Sequence, residues 1–77
     1  METKSKVLEI LKEVKPTKDL SVVTDIMEGG YIDSFELMSI IMALNEAFGI
    51  EIDLEDMTLE NFNTVDAIVE MVERLRS

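Results

Sequence analysis

An all-α fold is what this chain predicts: a small four-helix bundle of three longer helices and one short helix, with a long first loop. Three observations point there. Apolar residues recur at helical spacing along most of the chain. The helix-stop residues Pro16 and Gly49 fall just past two of those stripes. And 77 residues, 47% of them hydrophobic, make one thin core that must use most of its apolar side chains. A single domain over residues 1–77 is expected.

The elements follow in order. Val7, Ile10, Leu11 and Val14 keep i, i+3, i+4, i+7 spacing, one buried face of a first helix that Pro16 ends. Residues 16–32 form a long connection, with apolar anchors expected at Leu20, Val22, Val23 and Ile26 and a hinge-like Gly29-Gly30. A second helix spans Ser34 to Phe48 and stops at Gly49. Ile50-Glu51-Ile52 alternates like a strand but is too short to make a sheet alone, so it reads as an extended connector with Ile52 turned inward. A short helical turn fits Thr58 to Asn63, with Leu59 and Phe62 inward. Asn63 or Thr64 then caps a last helix whose core stripe is Val65, Ile68, Val69, Val72 and Leu75.

Charge and missing residue types exclude several functions. The net charge is −10, from 17 acids against 7 bases. That disfavours nucleic acid and anionic membrane surfaces, both of which need Lys and Arg. It suits basic protein partners, and it equally serves solubility. No apolar run is long enough to span a membrane. The segment Met1 to Lys6 leads into an amphipathic helix without the apolar core of a signal peptide, so a cytoplasmic location is expected. With no Cys and no His, disulfides, thiolate nucleophiles, zinc sites and a Ser-His pair are out. The acidic stretch Glu51 to Asp56 lacks EF-hand spacing, because Asp56 stands where the loop needs glycine. No metal site is expected.

The most informative stretch is Ile32-Asp33-Ser34-Phe35-Glu36. Two readings apply to it. Asp33 is a good N-cap with Glu36 as its capping-box partner. Alternatively, a serine hydroxyl at a helix N-terminus is well placed to hold a phosphate ester, because the N–H groups there are unpaired and the helix dipole favours negative charge. Ser34 has no histidine to activate it, so any chemistry there points to modification by another protein rather than to a catalytic residue.

A helical wheel at about 100° per residue divides the second helix. Leu37, Ile40, Ile41, Leu44 and Phe48 share a core face. Phe35, Met38 and Met42 fall on the other side, bordered by Ser39, Asn45 and Glu46. The helix is either buried all round or carries an exposed apolar docking stripe. In a domain this small one side should stay wet, which favours the stripe.

Gly30-Tyr31-Ile32-Asp33-Ser34-Phe35 resembles the Gly-x-Asp-Ser-Leu attachment signature of the acyl carrier protein family, which includes the aminoacyl and peptidyl carriers. Phe48-Gly49-Ile50-Glu51-Ile52 and Thr64-Val65-Asp66-Ala67-Ile68 are similar at the matching distances downstream, so the resemblance covers essentially the whole chain. It implies 4′-phosphopantetheine carried on Ser34 through a phosphodiester. It implies that Asp33 supports the transferase reaction by organising its metal and coenzyme A. The arm would then supply the thiol for thioester linkage that this chain lacks, and the protein would be a carrier for other enzymes rather than an enzyme.

The implied partners are a phosphopantetheinyl transferase and acyl- or aminoacyl-loading and -transferring enzymes with basic docking patches. Phe35, Glu36, Met38, Met42 and Glu46 are the candidate docking residues, and a monomer is expected. The leading expectation is an acyl carrier of fatty-acid, polyketide or related biosynthesis. The alternative is a stand-alone aminoacyl or peptidyl carrier resembling the D-alanine carriers. Phe35 in place of Leu, neutral Ser39 and Asn45, and apolar Leu37 depart from the fatty-acid carriers. An unmodified acidic interaction module is a third class, and the intact Asp33-Ser34 pair argues against it.

Overall fold

The computed structural model describes residues 2–76. It contains helices α1 (Glu2–Val14), α2 (Ser34–Phe48), α3 (Leu59–Phe62) and α4 (Val65–Arg76). Among the described residues there is no strand. Helix α1 packs against both α2 and α4, and the single turn of α3 packs on α4. The expected helical bundle is the fold observed.

The stripes meet in one core. Val7, Ile10 and Leu11 of α1 lie against Ile40, Ile41 and Leu44 of α2 and Val65, Ile68 and Val72 of α4, all buried. Val14, Leu37, Phe48, Val69 and Leu75 are half-buried at its edges. Met71 is fully buried although it lies outside the expected stripe. It sits one turn from both Ile68 and Leu75, so the buried face of α4 is wider than a single i, i+3, i+4 row. No buried side-chain polar atom among the described residues lacks a hydrogen-bond partner.

The long connection is packed down, but not by all four expected anchors. Leu20 and Ile26 are buried and Val23 partly so, whereas Val22 is 78% exposed. The reason is local: Leu20–Val22 forms a 3-10 turn with Asp19 as its N-cap. At three residues per turn, positions 20 and 23 share a side and position 22 points away. The Ser21 hydroxyl and backbone N–H both donate to Asp19, which holds that carboxyl below its ordinary range.

Leu59 is also misassigned by its spacing: it is 49% exposed, not inward. A single helical turn against one neighbour offers one deep position, and Phe62 fills it. Ile52 is turned inward as expected. Beyond it, Leu54–Asp56 forms a second 3-10 turn that leaves Leu54 exposed. Thr64 is the cap of α4, its hydroxyl accepting the Ala67 N–H at 2.9 Å.

Two asparagines tie loops to helices. Asn45 Oδ1 accepts the Ile52 N–H at 3.0 Å, fixing the chain beyond α2. Asn63 Oδ1 accepts the N–H groups of Met27 and Glu28 at 3.1 and 3.3 Å, and its carbonyl accepts that of Ile26 at 2.9 Å. The joint between α3 and α4 therefore holds the segment that leads toward α2.

Candidate functional site

Helix α2 begins at Ser34 because Asp33 stops the extended connection and caps the helix. Asp33 has extended backbone angles, φ −97° and ψ −178°. Its Oδ1 accepts the Glu36 N–H at 2.8 Å, and Glu36 Oε1 accepts the Asp33 N–H at 3.0 Å. This is the reciprocal capping box that the spacing predicts. The Asp33 carbonyl accepts the Leu37 N–H at 2.9 Å. That leaves the N–H groups of Ser34 and Phe35 without an intrahelical acceptor, free for water or an anion.

The approach to this turn is shaped by glycine. A Cβ on Gly29 would come within 2.6 Å of the Tyr31 ring and 2.8 Å of the Asp25 carbonyl oxygen. Gly30 takes a left-handed φ of 72°, which L side chains rarely adopt. Tyr31 lies half-buried over this bend with the Lys18 ammonium 5.0 Å from its ring centroid. Ile32 is buried and anchors the chain just before the cap.

The Ser34 side chain itself is exposed, and its hydroxyl makes no hydrogen bond among the described residues. Beside it Phe35 is 80% exposed, and Met42 and Met38 are 66% and 48% exposed. The second apolar stripe of α2 thus faces solvent and begins next to the serine. Glu46 is also exposed. Glu36 and Asn45 are not free surface groups: Glu36 is bound to the cap and to Lys15, and Asn45 to the Ile52 backbone.

Acidic residues outnumber basic ones around the site, where the bases in contact are Lys15 on Glu36 and Lys18 over Tyr31. All five lysines lie between residues 4 and 18, and the two arginines are Arg74 and Arg76, so no basic residue stands between Asp19 and Glu73. Among the described residues no group of three or more acidic side chains is arranged to hold a metal ion. No helix there is long and apolar enough to cross a membrane.

An exposed, uncommitted hydroxyl at a firmly capped helix start suits a bulky tether joined through phosphate. The group would project into solvent, and the free N–H groups would face its charge. Residues 4–72 match the family described as phosphopantetheine attachment site. The chain belongs to that family. It is similar to the D-alanyl carrier protein of Staphylococcus saprophyticus, with 31% identity over 78 residues covering 99% of this chain and 100% of the relative. The D-alanyl carrier protein of Staphylococcus xylosus is 30% identical with the same coverage.

Members of this family are carriers, not enzymes, and 4′-phosphopantetheine is their covalent prosthetic group. Carrier proteins of this family work in general with a phosphopantetheinyl transferase and with loading and transferring enzymes. These relatives favour the aminoacyl alternative over the fatty-acid expectation.

The capping box of Asp33 and Glu36 is as the spacing predicts; Lys15, which binds Glu36, and Asn63, which binds the Met27 and Glu28 amides ahead of the turn, were not expected in these roles. Capping residues announce themselves by local spacing. Lys15 and Asn63 act across 21 and 36 residues, a separation that no local pattern reports.

Proposed function

We propose that this protein is an aminoacyl carrier of the D-alanyl type, with 4′-phosphopantetheine joined to Ser34. The observation that carries the attachment point is the exposed Ser34 hydroxyl, uncommitted among the described residues, at the capped start of α2. The end-to-end similarity to two D-alanyl carriers supports the cargo class. When bound, the group supplies the thiol that a chain without cysteine lacks.

The roles of the chain's own residues follow from their places. Asp33 fixes the turn from which the hydroxyl projects, and its carboxylate would support the transferase reaction at Ser34. Phe35, Met38 and Met42 form the apolar part of the docking surface, with Glu46 as an acidic group at its border. Partner enzymes meet this face with basic, apolar-lined surfaces. Coenzyme A is an intracellular metabolite, so the carrier acts in the cytoplasm.

Loading tests the cargo. The pantetheinylated protein is incubated with ATP, D-alanine and a D-alanine-activating ligase, and in parallel with a fatty acid and an acyl-loading synthetase. Intact mass should show an alanyl increment in the first reaction and little in the second. Efficient fatty-acyl loading with no alanyl loading would restore the fatty-acid carrier and overturn the D-alanyl one.

A further inference from the structure

Residues 15–33 join α1 to α2 and are held to the core by buried Leu20, Ile26 and Ile32. Among the described residues, one side-chain ion pair also ties the end of α1 directly to the first turn of α2. Lys15 Nζ lies 3.3 Å from Glu36 Oε2 and 3.5 Å from Glu36 Oε1. Its side chains are 31% and 23% exposed. The pairs Lys4–Asp66 and Lys6–Glu9 are far wetter, at 49% and 84% and at 47% and 61%. A pair partly shielded from water is screened less by salt and solvent.

Both ends of this bridge are fixed. The Lys15 N–H donates to the Leu11 carbonyl at 2.8 Å, continuing α1 by one residue, and Pro16 follows. At the other end the same Glu36 carboxylate accepts the Asp33 N–H, and Asp33 in turn caps Glu36. A continuous set of contacts therefore runs from the end of α1, through Lys15 and Glu36, to the peptide that bears Ser34. Without the ammonium, the Glu36 carboxylate would be left part-buried with no cation, and its better-solvated rotamers would pull it off the Asp33 N–H.

We propose that Lys15 is a positioning residue for the modification of Ser34, acting through Glu36 to hold the cap turn in one geometry for the transferase. This rests on Ser34 as the attachment residue. Small displacements of a reacting group cost rate more than they cost binding.

The test uses transferase kinetics and amide exchange on Lys15→Met, Lys15→Arg, Glu36→Gln and the double variant Lys15→Met/Glu36→Gln. Methionine keeps the apolar stem and loses the charge. Glutamine keeps an acceptor for the Asp33 N–H and loses the ion pair. Lys15→Met should lower kcat about three- to tenfold with KM within about twofold, and Lys15→Arg should recover most of the rate. In the Glu36→Gln background, Lys15→Met should have little further effect. In the unmodified protein, Lys15→Met should speed exchange at the Asp33 and Glu36 amides while leaving core amides and the melting temperature nearly unchanged.

Wild-type kcat in Lys15→Met, a loss confined to KM, or equal losses in both backgrounds would overturn the proposal, since the last two mean that Lys15 meets the transferase itself. A uniform rise in exchange with a large drop in melting temperature would make Lys15 merely structural and would also overturn it. If the wild type takes up no arm at all, Ser34 as attachment residue fails instead, and the exchange comparison still decides whether Lys15 holds the turn.

Discussion

Asp33 and Ser34 are neighbours with different contacts, and substitution separates them. The Asp33 carboxylate holds a backbone N–H at 2.8 Å, whereas the Ser34 hydroxyl holds nothing among the described residues. Losing an N-cap costs about 1 kcal/mol, which in a domain of this size lowers the melting temperature by about 4–8 °C. Thermal melts should show that drop for Asp33→Ala and a much smaller one for Ser34→Ala. The reverse order would mean that the cap is elsewhere. Asn63 gives a second case at this scale. Removing its side chain in Asn63→Ala leaves the N–H groups of Met27 and Glu28 without their acceptor. The expected cost is about 1 kcal/mol, because water reaches these part-buried and exposed amides, with exchange at those two amides rising more than at α2 core amides. Unchanged exchange at both would show that water replaces Asn63 at little cost.

Helix α2 has two apolar faces, one buried and one exposed. Ile40, Ile41 and Leu44 are buried, while Phe35, Met38 and Met42 are exposed. Leu44→Ala should therefore destabilise by about 2–5 kcal/mol, and Met38→Ala or Met42→Ala by no more than about 0.5 kcal/mol. Transfer of the arm or of a carried acyl group should respond in the opposite order, slowing in the methionine variants. Equal destabilisation in all three would show that α2 is buried all round. Both faces were legible in the sequence, because a regular helix turns spacing directly into direction. Short irregular elements did not allow that step. Val22 went astray because a 3-10 turn has a different period, and Leu59 because one turn has a single deep position. Met71 was missed because a helix packed by α1 and α3 together buries a wider face than one stripe.

Across the whole molecule, charge is segregated as well as abundant. Every base lies in residues 4–18 or 74–76, and the stretch between them carries only acids. The helix that bears Ser34 lies wholly inside that acidic stretch. Exposed charges separated by more than about 8 Å are largely screened at physiological salt, so kcat/KM of the transferase should fall as salt rises. Glu46→Gln should reduce that salt slope, since Glu46 is exposed. Glu36→Gln should reduce it less, because Lys15 already neutralises Glu36. A salt-independent rate would rule out steering by this face. None of the contacts that fix the site's surroundings, from Lys15 to Asn63, was legible beforehand, because each joins residues far apart in the chain. The capped turn that bears Ser34 was legible, since its cap, its serine and its capping-box partner lie within four residues.

Intact mass is the direct measure of whether Ser34 is the sole point of attachment. The wild-type protein and Ser34→Ala are each incubated with coenzyme A and a broad-specificity phosphopantetheinyl transferase. The wild type should gain a single phosphopantetheine increment, and Ser34→Ala, folded as judged by its melt, should gain none. An increment that persists in Ser34→Ala would place the attachment on another residue, and a wild type that takes up no arm from any transferase would contradict the carrier function itself.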